Sequence, residues 1–502
     1  MSFLLMAFLA AVCLAPTYPE PLWGGPRWLA ALLTAAAVLL AVGHAALVAL
    51  QVRRPLEANP SLLNTQMARY DRWRTWHSLV TLGLYAASLW LFGWGWAVRS
   101  LYGPEKGPGA EVLLLTPYFL AQIGSWLAFY DADRAAHRAA QRLHAPASHP
   151  AGPGSEEQPF GGRVAYVLFQ LRQKVALAFL PVLFLVAQAE LFRALPVWMT
   201  RGSLAIWPML AFGVGILLLG LPLIVRLVLG LQPLPPGALR DRLLESARRQ
   251  GVGLADILVW NTRGVTANAM IIGLLPWVRY VILSDRLLQE LSPEEVQAVF
   301  GHELGHARHQ HMLFYLVFLT LSMLVVFLIV ANHVLPALQL AAERLGEGWG
   351  ELFHEESDGS LAVTLALLLV YILVAFGLVS RLCERQADVF GCKAVSCGDP
   401  GCLGHSEDTV VLDGPPCPTS VAVFVSALDK VAVANGIDRH RPGWLQAWQH
   451  GSIASRGRFL LRMLAGDPSE PELQRRLWVL KWGVTASLAV ALVWLLAVHG
   501  IQ

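Results

Sequence analysis

Apolar runs long enough to cross a bilayer recur along almost the whole of this 502-residue chain, and they restrict its fold more than any other feature. After a short apolar start at residues 1–16, they fall at 28–52, 78–101, 111–130, 175–192 and 204–229. Two more follow at 312–334 and 361–380, and a last one at 484–498, which makes about nine spans. Hydrophobic residues make up 55% of the chain and charged residues 15%, more apolar side chain than a soluble protein of this size can bury. The start at 1–16 has no Lys or Arg, which a secretory signal would carry, and so reads as a short first membrane helix.

The positions of Arg set the expected orientation. Arg53, Arg54, Arg69, Arg72 and Arg74 follow the second run, and Arg134, Arg138, Arg142 and Arg163 follow the fourth. Arg226, Arg240 and Arg242 lie at or beyond the end of the sixth. The positive-inside rule makes these loops cytoplasmic, and with them the polar regions 232–311 and 381–478. Residues 145–162, rich in Pro, Gly, Ser and Glu, read as a flexible loop, and 232–237 with its three prolines as a linker. The net charge of +3, with no Lys/Arg run interleaved with aromatics, argues against nucleic acid as a partner. Almost no ionisable residue is expected mid-span in the first six runs, which argues against an ion-coupled transporter.

The first polar region carries the chemistry. A helix is expected over 238–250 and a strand over 256–260, then paired strands at 269–273 and 279–284 around a turn at 274–276. Ser292-Pro293-Glu294-Glu295 is a capping box with Pro at the first helical position, a strong helix start. The helix that it opens contains His302-Glu303-Leu304-Gly305-His306. Residues four apart share one helix face, so His302 and His306 can offer a ring nitrogen to one ion. Glu303 beside them is placed as general base for a water that the metal activates, which is the H-E-x-x-H zinc arrangement. A catalytic zinc needs a third protein ligand and an open position. The run Arg381 to Asp388 offers Glu384 and, four residues on, Asp388, which can accept a hydrogen bond from a ligating imidazole.

At these residues the sequence resembles the family of membrane zinc metallopeptidases that includes the type I CAAX prenyl protease and the bacterial quality-control protease HtpX. The resemblance covers roughly residues 241–464. Besides the two metal motifs it rests on Asn268-Ala269-Met270, Val281-Ile282-Leu283-Ser284-Asp285 and Leu287-Leu288. It also includes the late run from His450 to Arg456, where Gly451 stands in place of the family's Pro. It implies endopeptidase activity on protein or peptide substrates, with zinc as cofactor and Glu384 as third ligand. It further implies that Asn268 and Ala269 bind substrate backbone on an edge strand, that Arg456 contacts substrate, and that His450 steadies the oxyanion.

The expected fold is thus mainly α, a polytopic membrane protein with a cytoplasmic α+β zincin-like metallopeptidase domain split by a transmembrane hairpin. Residues 1–230 form an N-terminal membrane region, and 231–311 the first part of the peptidase domain. The hairpin is 312–380, the second part of the domain 381–476, and 477–502 a last membrane helix. The expected location is a bacterial inner or plasma membrane, with lipid as a partner and the site facing the cytoplasm. Rival readings are a CAAX-type processing protease and a membrane sensor that relays a signal to a cytoplasmic regulator.

Five of the six cysteines lie between 383 and 417. The stretch holding Cys392, Cys397, Cys402, His405 and Cys417 is the place for a second, structural zinc, although its spacing is looser than paired CxxC knuckles. His309 and His311 read as polar residues at the membrane boundary, and Leu412-Asp413-Gly414 as a turn.

Overall fold

The computed structural model describes residues 18–102, 109–144, 161–174, 215 and 219–499, apart from 22, 263, 265, 347–349, 355–356, 406–409, 412–413, 436, 441–447 and 468. The chain divides into two compact units, Met1–Gly230 and Leu231–Gln502.

In the first unit, α1 (Arg27–Ala58), α2 (Leu63–Trp90), α3 (Trp94–Tyr102), α4 (Ala110–His144) and α5 (Arg163–Lys174) are followed by the short α6 (Leu219–Leu229). Helix α1 buries Ala30, Thr34, Ala37, Ala41, Ala45, Val48 and Val52 along one stripe. Leu32, Leu39 and Leu47 lie exposed off that stripe, as suits lipid. Small residues let helices approach closely where lipid removes the hydrophobic drive to associate. At Gly124 of α4, a Cβ would sit 2.4 Å from Val42 Cγ2 of α1. Polar groups also join these helices. His44 Nδ1 and His77 Nδ1 are 3.0 Å apart, and His77 Nε2 lies 3.0 Å from Ser125 Oγ. His44 lies within the run 28–52, and His77 just before that at 78–101.

The second unit is built on a four-stranded sheet of order β1–β2–β4–β3: β1 (Gln232–Pro233), β2 (Asp256–Trp260), β3 (Ala269–Ile272) and β4 (Tyr280–Ser284). Helix α7 (Ala238–Arg249) precedes β2, and α8 (Asp285–Glu290) follows β4. The pair β2–β4 is parallel, and β3 pairs antiparallel with β4 in the register Ala269↔Leu283. All five residues of β4 are buried, as expected of a continuous apolar run in a central strand. The turn between β3 and β4 starts at Gly273 with φ +93°, where a Cβ would lie 2.1 Å from Val278 O. Strand β3 is left on the edge.

Helix α9 (Pro293–Arg308) starts at the expected capping box. Ser292 Oγ accepts from the Glu295 N–H at 3.2 Å, and Glu295 Oε2 from the Ser292 N–H at 2.8 Å. Its Val296, Val299, Phe300, Leu304 and Ala307 recur at three- and four-residue spacing and pack with Ile257, Val281, Leu283 and Leu287 of the sheet side. Phe300 is fully buried, a contribution of about 1.5–3 kcal/mol.

The helices then run α10 (His311–Ile329), a π turn at Val330–Val334, and α11 (Leu335–Glu343). The next segment runs α12 (Asp358–Tyr371), a π turn at Ile372–Phe376, and α13 (Gly377–Lys393). After these come α14 (Pro418–Ala434), α15 (Ile453–Leu464) and α16 (Glu470–His499). Helix α13 carries the second hairpin helix past 380 into the polar region, with Glu384 and Asp388 on it. Among the described residues, five helices are long and apolar enough to cross a membrane: Arg27–Ala58, Ala110–Ala139, His311–Glu343, Val363–Lys393 and Glu470–Val498. A sixth is counted if Thr65–Trp90 and Trp94–Tyr102, bent by 48°, are one span. These helices make the chain an integral membrane protein. The count of about nine is not reached among the described residues. The expected runs at 1–16 and 175–192 lie outside them, and only residue 215 and α6 are described of that at 204–229.

Candidate metal centre

The site forms where α9 and α13 cross, and glycine sets the distance of that crossing. A Cβ on Gly305 would lie 3.0 Å from Ala387 Cα and from Phe390 Cβ, and one on Gly301 would lie 2.4 Å from Ala394 Cβ. From the other helix, a Cβ on Gly391 would lie 2.9 Å from Ala298 O and 3.1 Å from His302 Cβ. Only side-chain-free faces allow this contact. It carries Glu384, on the exit turns of a membrane-spanning helix, up to both histidines of α9.

His302 Nε2 and His306 Nε2 are 3.3 Å apart. Glu384 Oε2 lies 3.6 Å from His302 Nε2, and Glu384 Oε1 lies 3.5 Å from His306 Nε2. A tetrahedral zinc with N and O bonds of about 2.0–2.2 Å would space its ligand atoms about 3.3–3.6 Å apart. The histidine edge is of that length, and Glu384 turns one oxygen toward each histidine nitrogen at a similar distance.

Neighbouring groups fix which ring nitrogens face inward. His311 Nε2 is 2.9 Å from Gln386 Oε1, which also accepts from Lys481 Nζ at 2.9 Å. A proton on His311 Nε2 leaves its Nδ1 as acceptor for His306 Nδ1–H, 3.0 Å away, and so leaves the lone pair of His306 Nε2 on the inner side. His302 Nδ1 is 3.0 Å from Asp388 Oδ1, close but off the hydrogen-bond direction. Asp388 is held in turn by Arg456, whose Nε donates to Oδ2 at 2.9 Å and whose Nη2 donates to Oδ1.

This arrangement attracts positive charge. Burial disfavours a proton on His302, yet Asp388 and Glu384 more than offset it and raise its pKa to about 10. His306, desolvated and beside a charged His302, drops to about 3. Two imidazole nitrogens and a buried carboxylate that together attract one cation fit zinc by their chemistry and by their spacing. Phe424 of α14 stacks on the His302 ring with centroids 5.8 Å apart. Glu295, besides capping α9, accepts from Ser426 and Lys430 of α14, each at 2.7 Å.

The other expected residues are placed as follows. Glu303 is half-buried, and burial pushes its carboxyl up, with the Ile271 N–H of the edge strand acting the other way. His450 Nδ1 is 3.0 Å from Glu384 Oε2, and its side chain is 58% exposed. Gly451 has φ +73°, a conformation closed to Pro. The Asn268 N–H donates to Ser284 Oγ at 2.8 Å, and its carbonyl accepts from the Ser284 N–H at 2.9 Å. Antiparallel alternation then turns the backbone groups of Ala269 and Ile271 to the open edge. Arg456, expected at the substrate, is buried with its guanidinium on Asp388. It stays charged, because Asp388 and Glu384 outweigh its desolvation.

His311 corrects the bland reading of a boundary residue, since it is fully buried and touches His306. Lys481 is a further residue that the sequence reading passed over. It lies three residues before the apolar run at 484–498, on the turn that leads from the polar region into the span, and no sequence signal singled it out there.

A second group of ligand-type side chains lies beyond α13. Cys397, Cys402, His405 and Cys417 bring one ligand atom each within 4.8 Å of the others. Cys392, expected among them, is not part of the group. It sits on the last turn of α13, fully buried with Val389, Val421 and Phe424. Of Leu412-Asp413-Gly414, the first two lie outside the described residues.

Residues 233–403 match the family model "Peptidase family M48". Over 188 residues the chain is 29% identical to the CAAX prenyl protease 1 homolog of Arabidopsis thaliana, covering 35% of this chain and 39% of that protein. Over 159 residues it is 32% identical to Protease HtpX of Escherichia coli, covering 30% of this chain and 50% of that one. The chain therefore spans no more than about half the length of these relatives. The crystal structure of S. mikatae Ste24p is 15% identical, with a TM-score of 0.45 over 85% of this chain and 97% of that one. The matched segment holds β2 to β4, the two histidines of α9 and the carboxylates of α13, and this chain carries over residues 233–403 a domain of peptidase family M48.

Proposed function

We propose that this protein is a zinc-dependent membrane endopeptidase. The observation that carries this reading is the triangle of His302 Nε2, His306 Nε2 and Glu384, with edges that suit one tetrahedral zinc. Zinc held there would polarise a peptide carbonyl and make a water more acidic. Glu303, next to His302 and desolvated, takes the proton of the attacking water and passes it to the leaving amine. His450 stands over Glu384 from the solvent side, where its ring can donate to the developing oxyanion. The open edge at Ala269 receives the substrate backbone as an added strand, with Asn268 at its start and the Ile271 N–H turned to Glu303. Asp388 orients His302, and Arg456 holds Asp388 instead of touching substrate.

The site faces the cytoplasm in this reading, which the Arg-rich loops support. Reporter fusions after Glu290 and Gly350 should give opposite signals, and equal signals would refute the span His311–Glu343.

The central test is Glu303→Gln. The variant should keep its zinc and its membrane insertion while cleavage falls by about 10²–10⁴-fold. Cleavage at the wild-type rate would remove Glu303 as base and the mechanism with it. A prenylated C-terminal peptide belongs beside an unmodified membrane peptide in that assay, because the plant relative is named a CAAX prenyl protease. Cleavage of the prenylated peptide alone would select the processing reading.

A further inference from the structure

Between α13 and α14 the chain runs for more than twenty residues without a helix or strand among those described. Segments of that length inside a folded unit are uncommon unless something binds or holds them. This one has little apolar side chain to form a core of its own, and its Leu403 is fully exposed at 103%. Yet Cys402 and Cys417 are buried, and no disulfide joins any of the three loop thiols.

One ligand-type atom of each of Cys397, Cys402, His405 and Cys417 faces the others within 4.8 Å. Cys402 Sγ lies 3.2 Å and Cys417 Sγ 3.7 Å from the same atom, His405 Nδ1. The other ring nitrogen, Nε2, is 2.9 Å from Val395 O, so it carries the proton and leaves the Nδ1 lone pair facing the thiols. Backbone and hydroxyl groups surround the sulfurs as they would thiolates. The Ser420 N–H donates to Cys417 Sγ at 3.3 Å at the start of α14, and Thr419 Oγ1 lies 3.3 Å from Cys402 Sγ. Ser396 closes the base of the loop. Its Oγ donates to Pro415 O at 2.8 Å and accepts from the Gly398 and Cys417 N–H groups, each at 3.0 Å.

We infer that Cys397, Cys402, His405 and Cys417 form a structural Cys₃His zinc site that staples this loop to the first turn of α14. Three sulfurs and one imidazole complete a tetrahedron and leave no open position, so the site does no hydrolysis. Zinc–sulfur bonds of about 2.3 Å space such atoms about 3.5–3.8 Å apart, close to the distances found. The effect reaches the peptidase centre through α14, whose Phe424 backs His302 and whose Ser426 and Lys430 hold Glu295. The inference does not depend on the proposed peptidase activity, because none of its ligands belongs to that centre.

The test uses the full chain in detergent. A double variant, His306→Ala with Glu384→Ala, removes the helical centre and should still retain about one zinc per chain. Its cobalt-substituted form should show intense near-ultraviolet sulfur-to-cobalt charge transfer, which nitrogen and oxygen ligands do not give. Alkylation read by mass spectrometry should find Cys397, Cys402 and Cys417 protected, and reactive once a chelator is added. Cys402→Ser with Cys417→Ser should lose that zinc. If that variant does not fold, the cobalt and alkylation measurements decide without it. A double variant free of zinc, the absence of the sulfur band, iron in place of zinc, or an internal disulfide among these cysteines would each overturn the inference.

Discussion

His302, His306 and Glu384 sit on two helices whose contact is made by Gly301, Gly305, Ala387 and Gly391 and would persist with no ion between them. Cys397, Cys402, His405 and Cys417 sit on a segment that has no helix or strand among its described residues and is tied by single hydrogen bonds. In the first case packing places the ligands and the metal enters a finished site. In the second the metal takes the place of the core that the segment lacks. The difference matches what each centre does. A catalytic metal needs ligands held to a fraction of an ångström and one position free, which rigid helices supply. A structural metal needs only to be fully enclosed by its ligands.

The largest effect that tests this contrast comes from Asp388. It is fully buried, and its carboxylate is the partner of a buried Arg456. Asp388→Ala leaves that guanidinium without its counter-charge, a defect that costs about 3–5 kcal/mol. It also releases His302, so the helical centre should lose zinc affinity by about 10–100-fold. Removing zinc from the same centre by chelation, with the cysteine site still loaded, should cost far less stability than the substitution. Denaturant unfolding of both forms in detergent measures the comparison. If chelation destabilised the chain as much as Asp388→Ala, the helices would not be packing independently of the metal, and the contrast would fail.

How much of this was legible in the sequence depends on how local the determining contact is. The start of α9 was readable because Ser292 and Glu295 act within one helical turn. His302 and His306 were readable because four residues set their spacing, and β3 and β4 because a short turn pairs them. The contact of Arg456 with Asp388 was not legible because the two lie 68 residues apart and no periodicity reports such a pairing. Cys392 was grouped with the loop cysteines by proximity in sequence, whereas the last turn of α13 directs it into the core. Hydropathy marks the apolar part of a helix and not its end, which is set by hydrogen bonds that continue into polar sequence. Helix α13 continues past its apolar part to carry Glu384 and Asp388.

The smallest effect sharpens the contrast with one kind of substitution made in both regions. Ser292→Ala removes the hydroxyl that caps α9, and Ser396→Ala removes the hydroxyl that closes the cysteine loop. Loss of an N-cap costs about 1 kcal/mol. Helix α9 remains held by the sheet on one side and α13 on the other, and Glu295 still accepts from Ser426 and Lys430. His302 lies almost three turns beyond the cap, so zinc affinity at the helical centre and the cleavage rate should be unchanged. Ser396 Oγ meets three backbone groups of the loop that carries the cysteines, and neither helix nor strand among the described residues holds Gly398 or Pro415 besides. Ser396→Ala should therefore weaken zinc at the cysteine site, seen as faster loss of zinc to a chelator and earlier alkylation of Cys417. Equal zinc retention in the two variants would mean that the loop is ordered by its own hydrogen bonds, and that the metal is not its core.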